Sequence, residues 1–188
     1  EGEVIVQEGG GHRAGTIVGG EVTATAGIHA KMIGSEDTDR TVAGIGPTFE
    51  QAAEMEGLEA TLEECRSSIP ELMKIVGLTR PDVGALKKHL AQMPPKRMDA
   101  VAEDAKQLGE LLSRQRKADS ELEKLEKKIL DTVSKGRIVA TDTVFADVQI
   151  GFGAVFSRVD ADLAGAEFYL AEGTKIKWRP LQQATAST

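Results

Sequence analysis

The chain has 188 residues, with 23 Lys and Arg against 30 Asp and Glu, a formal net charge of −7, 40% hydrophobic residues and only 4% aromatic ones. The composition is globular rather than disordered. Its acidity disfavours nonspecific attraction to nucleic acid or anionic lipid, and no stretch approaches the roughly 18 consecutive apolar residues of a membrane span. One cysteine excludes an internal disulfide and fits a reducing compartment. A core poor in rings and rich in Ala, Val and Ile suits thin layers, either a coiled coil or a narrow solenoid. No signal peptide is legible. A chain that opens at Glu1 and passes at once into Val4-Ile5-Val6 reads as an excised domain, so targeting signals need not lie on it.

Residues 1–47 hold eleven of the twenty glycines. The strand candidates there are Glu3 to Gln7, Gly15 to Val18, Glu21 to Ala24, Ile28 to Ile33 and Thr41 to Ile45, each short and set off by Gly or Asp/Ser turns. Val22/Ala24 and Ile28/Ala30 alternate with polar residues, as a half-buried strand requires.

From residue 48 the pattern changes, and residues 49–135 contain only Gly57, Gly77, Gly84 and Gly109. Met55, Leu58, Leu62, Cys65, Ile69, Leu72 and Val76 are spaced alternately by three and four. So are Leu108, Leu111, Gln115, Ala118, Leu122, Leu125, Ile129 and Thr132. Two such stripes predict two packed helices. The first runs from Phe49 to Val76, ends at Gly77 and should kink near Pro70. A short helix follows over Pro81 to Gln92, and the third runs from Arg97 to Ser134, on the order of 55 Å. If both ends of the hairpin stand level on one body, Cys65 faces Ala118, Leu72 faces Leu111 and Val76 faces Leu108. Leu86 and Leu90 should then cover the overhanging start of the third helix near Val101. With 15 cations against 17 acids over residues 49–135, the rest of these helices reads as a mixed, solvated surface.

Strand chemistry returns after Gly136, with Ile138, Val144, Ile150 and Phe156 spaced by six, then Glu167 to Leu170 and Thr174 to Trp178. Each β portion is too small to fold alone. The expected organisation is therefore one β body built from residues 1–47 and 136–179, interrupted by a helical hairpin over 48–135 and followed by a disordered tail over 180–188. The fold class is α+β: a β-solenoid with stacked coils and a narrow apolar interior, broken by a long antiparallel coiled-coil hairpin.

No motif carries chemistry well. Gly9-Gly10-Gly11-His12-Arg13 lacks the Gly-Lys-Ser/Thr of a phosphate loop, and Gly151-Phe152-Gly153 lacks the third glycine of a dinucleotide fingerprint. His12, His29 and His89 do not converge in sequence, and His29 falls on the outward parity of its strand. Cys65 sits on a seam and reads as a small core residue. Glu36-Asp37-Thr38-Asp39 and Asp160-Ala161-Asp162 lack calcium-loop spacing and read as solvated turns. No catalytic residue, metal or cofactor is therefore expected. At the helical tip, Val83, Leu86, Leu90 and Met93 are more apolar than a loop requires. They pack on the third helix or form a knob for a partner protein.

The order of elements resembles one family. Gly19-Gly-Glu-Val-Thr-Ala-Thr-Ala-Gly-Ile-His-Ala-Lys-Met-Ile-Gly-Ser35, Thr41-Val-Ala-Gly-Ile-Gly-Pro47, a long helical hairpin, and the return Gly136-Arg-Ile-Val-Ala then Val144-Phe-Ala-Asp-Val-Gln-Ile-Gly151 together resemble the flagellar assembly protein A (FapA) family, over roughly residues 15–178. The resemblance implies a right-handed parallel β-helix interrupted by a coiled coil, a cytoplasmic bacterial setting and no enzymatic activity. It also implies association with flagellar assembly and cell-pole organisation through a protein partner, and it leaves a homo-oligomer open. Handedness rests on the resemblance alone. The competing expectation is a left-handed, hexapeptide-type acyltransferase, suggested by the six-residue spacing and opposed by its break after Phe156.

Overall fold

In a computed structural model of the chain, the residues described are 2–6, 15–37 and 40–181. They form two compact units, Glu1–Gln51 with Lys127–Thr188, and Ala52–Glu126.

The first unit is built from two sheets. One contains β1 (Glu3–Ile5), β2 (Thr16–Ile17), β4 (Gly27–Ile33), β6 (Arg137–Val144), β9 (Leu163–Ala171) and β10 (Lys175–Pro180). The other contains β3 (Gly20–Ala24), β5 (Thr41–Ile45), β7 (Gln149–Phe152) and β8 (Val155–Arg158). From β3 to β7 the chain alternates between the sheets, and within each sheet the successive strands are parallel. That is the winding of a solenoid, made on two faces and not closed into a tube. After β7 the chain turns back, and β8, β9 and β10 join antiparallel.

Register explains the core. Val4, Ile28, Ile138, Phe168 and Trp178 stand side by side across the first sheet, and Ala24, Ile45, Phe152 and Val155 across the second. With period-two alternation, each inward column stacks apolar on apolar from strand to strand. Ile28, Ile33, Ile138, Val144 and Ile150 are fully buried. Phe156 departs from the expected six-residue series. It lies on antiparallel β8 and is 54% exposed, because the chain has already reversed at Gly153, whose φ is 58°.

One corner of the winding holds the insertion. Ala24 is level with Ile45, and Gly27 is level with Arg137. The earlier coil crosses that corner with Thr25 and Ala26 alone, whereas the later one crosses it with residues 46–136. The corner is tight. The Gly2 carbonyl accepts from the N–H groups of Thr25 and Ala26, each at 3.2 Å. A Cβ on Gly136 would stand 2.7 Å from Ile45 Cγ2 and 3.2 Å from the Ala26 carbonyl oxygen.

The inserted helices are α1 (Phe49–Val76), α2 (Val83–Ala91) and α3 (Pro95–Val133). α1 begins in a capping box: Gln51 N–H donates to Thr48 Oγ1 at 3.1 Å, and Thr48 N–H donates to Gln51 Oε1 at 3.0 Å. It runs through Pro70 without a break and ends at Gly77, φ 82°. There the Gly77 and Leu78 N–H groups both reach the Met73 carbonyl, closing the C-terminus in the left-handed turn that glycine permits. Asp82 caps α2 through Ala85 N–H at 2.8 Å.

Within the second unit, Cys65, Ile69, Leu72 and Val76 of α1 share a core with Leu86 of α2 and Ala105, Leu108 and Leu112 of α3. The partners run in opposite directions, since Glu64 pairs with Arg114 at 3.0 Å and Gly77 lies beside Arg97. The register differs from the expected one. The Cys65 thiol meets the Leu111 carbonyl at 3.7 Å instead of facing Ala118, so α3 is displaced by at least a turn. A heptad stripe repeats about every 3.5 residues, so sliding it by one turn again sets apolar on apolar.

Candidate interaction surfaces

The tip residues singled out by sequence divide. Leu86 is buried in the core of the helical unit, and Val83 and Leu90 pack partly buried against that core. Met93 is half-buried. Leu86 is therefore withdrawn from the surface. The reason is local: Leu86 Cδ2 fills the space over Gly109, which has no side chain to exclude it. Leu86 packs with Ala105 and Leu108. His89 on the same helix finds a partner remote in sequence. Its Nε2 lies 3.1 Å from the Val76 carbonyl, an unsatisfied acceptor at the end of α1.

The other sequence candidates also resolve into structural roles. Cys65 is fully buried. His29 lies on the outer face of its sheet with Glu3 Oε1 2.8 Å from Nε2. Asp162 Oδ1 accepts from Ala146 N–H at 2.7 Å and so closes a turn. Gly151 and Gly153 belong to the β7–β8 reversal rather than to a nucleotide loop. Gly9 to Arg13, Thr38 and Asp39 lie outside the described residues. Among the described residues no group of three His, Cys, Asp or Glu could hold a metal ion, and no helix is long and apolar enough to cross a membrane.

The most organised polar cluster was not foreseen. On the outer face of the first sheet, Glu167 is only 14% exposed and takes two hydrogen bonds from Arg179, each 2.9 Å. Arg137 Nε lies 3.4 Å from the same carboxylate. Arg137 also donates from Nη1 to the carbonyls of Ser134, Lys135 and Gly136 at 3.2, 3.0 and 2.6 Å, and its guanidinium lies over the Tyr169 ring at 5.8 Å. One side chain thus ties the carbonyls of the turn that follows α3 to a carboxylate in the sheet through charge-assisted hydrogen bonds. The polar parity of 167, 169, 177 and 179 was readable. The pairing was not, because it needs the β9–β10 register.

A second polar region is an open depression of about 870 Å³ lined by Gly34, Ser35, Arg40, Asp147, Gln149 and Arg158, among others. Several of its charged groups are engaged with each other or with neighbours. Arg158 pairs with Asp147 at 2.7 Å, and Arg40 donates to Gln149 Oε1 at 3.2 Å.

These two sheets, wound in parallel and opened at one corner by three helices, match in sequence a family model described as the flagellar assembly protein A beta solenoid domain, over residues 1–176. The chain belongs to the flagellar assembly protein A family. No curated protein and no solved structure matches it. In this flagellar assembly protein A domain the match runs across both β portions and the helices between them.

Proposed function

We propose that this domain is a non-enzymatic scaffold that binds a partner protein in the bacterial cytoplasm, in flagellar assembly and cell-pole organisation. The family match carries the reading. The architecture supports it: one corner of a narrow β winding is expanded from Thr25-Ala26 to a three-helix insertion, which serves contact rather than chemistry. In this reading the helices act as an antiparallel coiled-coil hairpin, the solenoid is right-handed, and the half-buried Val83, Leu90 and Met93 contribute contact area at the tip. The acyltransferase reading loses its footing, since its six-residue series ends at an exposed residue of an antiparallel strand.

The test is a pull-down from a bacterial lysate with the intact chain and with a chain whose residues 46–136 are replaced by Thr-Ala. The expected result is a discrete partner whose purified form binds the intact chain saturably. Saturable heat on titration with acyl-CoA or acyl carrier protein would overturn the scaffold reading.

A further inference from the structure

β10 is the last strand of its sheet. Alternate residues of such an edge leave N–H and C=O groups unpaired toward solvent, a template for another strand. Its two faces differ in chemistry. Lys175, Lys177 and Arg179 are exposed on the outer face, with no acid in the strand. On the inner face stand Ile176, half-buried, and Trp178. Trp178 belongs to the same row as Ile28, Ile138 and Phe168, which are 0%, 0% and 3% exposed, yet it is itself 49% exposed. It is a core-facing side chain at the end of its row, with its outer flank uncovered.

We infer that β10 is a docking edge for an extended acidic segment of a partner protein, added as a further strand with acidic and apolar residues in alternation. The inference rests on the reading of the domain as an interaction module. Charge selects the occupant. The chain as a whole is at −7, while this strand places three cations on one face. A second copy laid antiparallel on β10 would set cation against cation, which is destabilising across strands. The residues after Leu181 contain no acid. Lysines on an edge also protect against indiscriminate pairing, but protection alone does not call for a half-exposed tryptophan on the core side. An acidic strand would pair Lys175 and Lys177, satisfy the edge and cover the indole at once, while Arg179 stays on Glu167.

Trp178 is the one tryptophan of the chain, so its fluorescence reports on this edge directly. The probe is the peptide Thr-Glu-Val-Glu-Val-Glu-Thr titrated into the full chain, with Thr-Lys-Val-Lys-Val-Lys-Thr as the control. Expected are a saturable blue shift with the acidic peptide, at least tenfold weaker binding of the basic one, and weakening by salt. In K175E/K177E the preference should reverse; Arg179 is left in place because it holds Glu167. Methylating alternate peptide nitrogens should abolish the shift. No saturable change, equal binding of both peptides, or binding that survives methylation each overturns the inference. So does a shift that grows with protein concentration alone, which would make a second copy the occupant. A lysate partner retained unchanged by K175E/K177E would sink this docking edge and leave the interaction-module reading standing. Loss of every partner from the intact chain would sink that reading itself.

Discussion

A methyl group at Gly136 would stand 2.7 Å from Ile45 Cγ2 and 3.1 Å from Ile45 Cγ1. Ile45 is 1% exposed and cannot yield. Gly136→Ala should therefore lower the denaturant midpoint by the equivalent of about 1–3 kcal/mol, the cost of overpacking a close-packed site. Gly151→Ala is the control. Its new Cβ would meet the Phe156 ring at 2.7 Å, but that ring lies half in solvent and can swing away, so the loss should stay below about 1 kcal/mol. Equal losses from the two variants would show that the corner is looser than the structure has it. At this scale the sequence was legible where parity or a cap decides the outcome. His29 faces outward, Cys65 inward, and Gly77 stops α1. It was silent where a partner arrives from a distant segment. His89 reaching Val76 and Glu167 reaching Arg137 and Arg179 need a fold before they can be read. The turns at Asp147 and Glu172, with φ of 69° and 53°, carry side chains at positions where glycine would have announced the conformation.

Helix boundaries were more legible than helix pairing. α1 spans Phe49–Val76 as the stripe and the Gly77 stop predicted, and α2 starts one residue after its Asp82 cap. The seam of α3 drifts instead. Leu112 is buried where Leu111 was expected, and Val133 where Thr132 was. Leu72 and Leu108 both belong to the core of the helical unit. Leu72→Ala or Leu108→Ala should each cost about 2–4 kcal/mol. The double variant should cost less than the sum if the two sites share one cavity. Leu122 is half-buried, so Leu122→Ala should cost clearly less than Leu108→Ala; a larger loss would restore the register first expected from spacing. Cys65 supplies an independent check. Buried in this core, it should react with a thiol reagent only as fast as the chain opens. Rapid native labelling, or a quantitative covalent dimer on mild oxidation, would mean that the helices pair between chains.

For the molecule as a whole, the switch from glycine-rich alternation to heptads and back marked the insertion in the sequence, and its stacked partners located it at a corner. The solenoid winding was expected from the short strands and glycine turns; what stayed illegible was its division between two sheets and its antiparallel finish, because strand alternation specifies which side chain points inward and not which strand lies beside which. The register makes a strong claim. Ile45 and Arg137 occupy the same places in their coil as Ala24 and Gly27 in the coil before. Joining Ile45 to Arg137 through Thr-Ala should then leave both sheets with their neighbours intact. The inward rows built on Ile28, Ile138 and Phe168 in one sheet and on Ile45 and Phe152 in the other lie within the retained residues. The shortened chain should keep β-type circular dichroism, lose the helical signal and unfold in a single cooperative transition. Its midpoint will be lower, because Val133 at the end of α3, which lies near Gly153, is removed with the helices. A separate chain of residues 46–136 should carry the missing helical signal with Cys65 still protected. If the shortened chain shows no cooperative transition while the helical chain folds, the helices are a required part of the β body rather than an insertion at its corner.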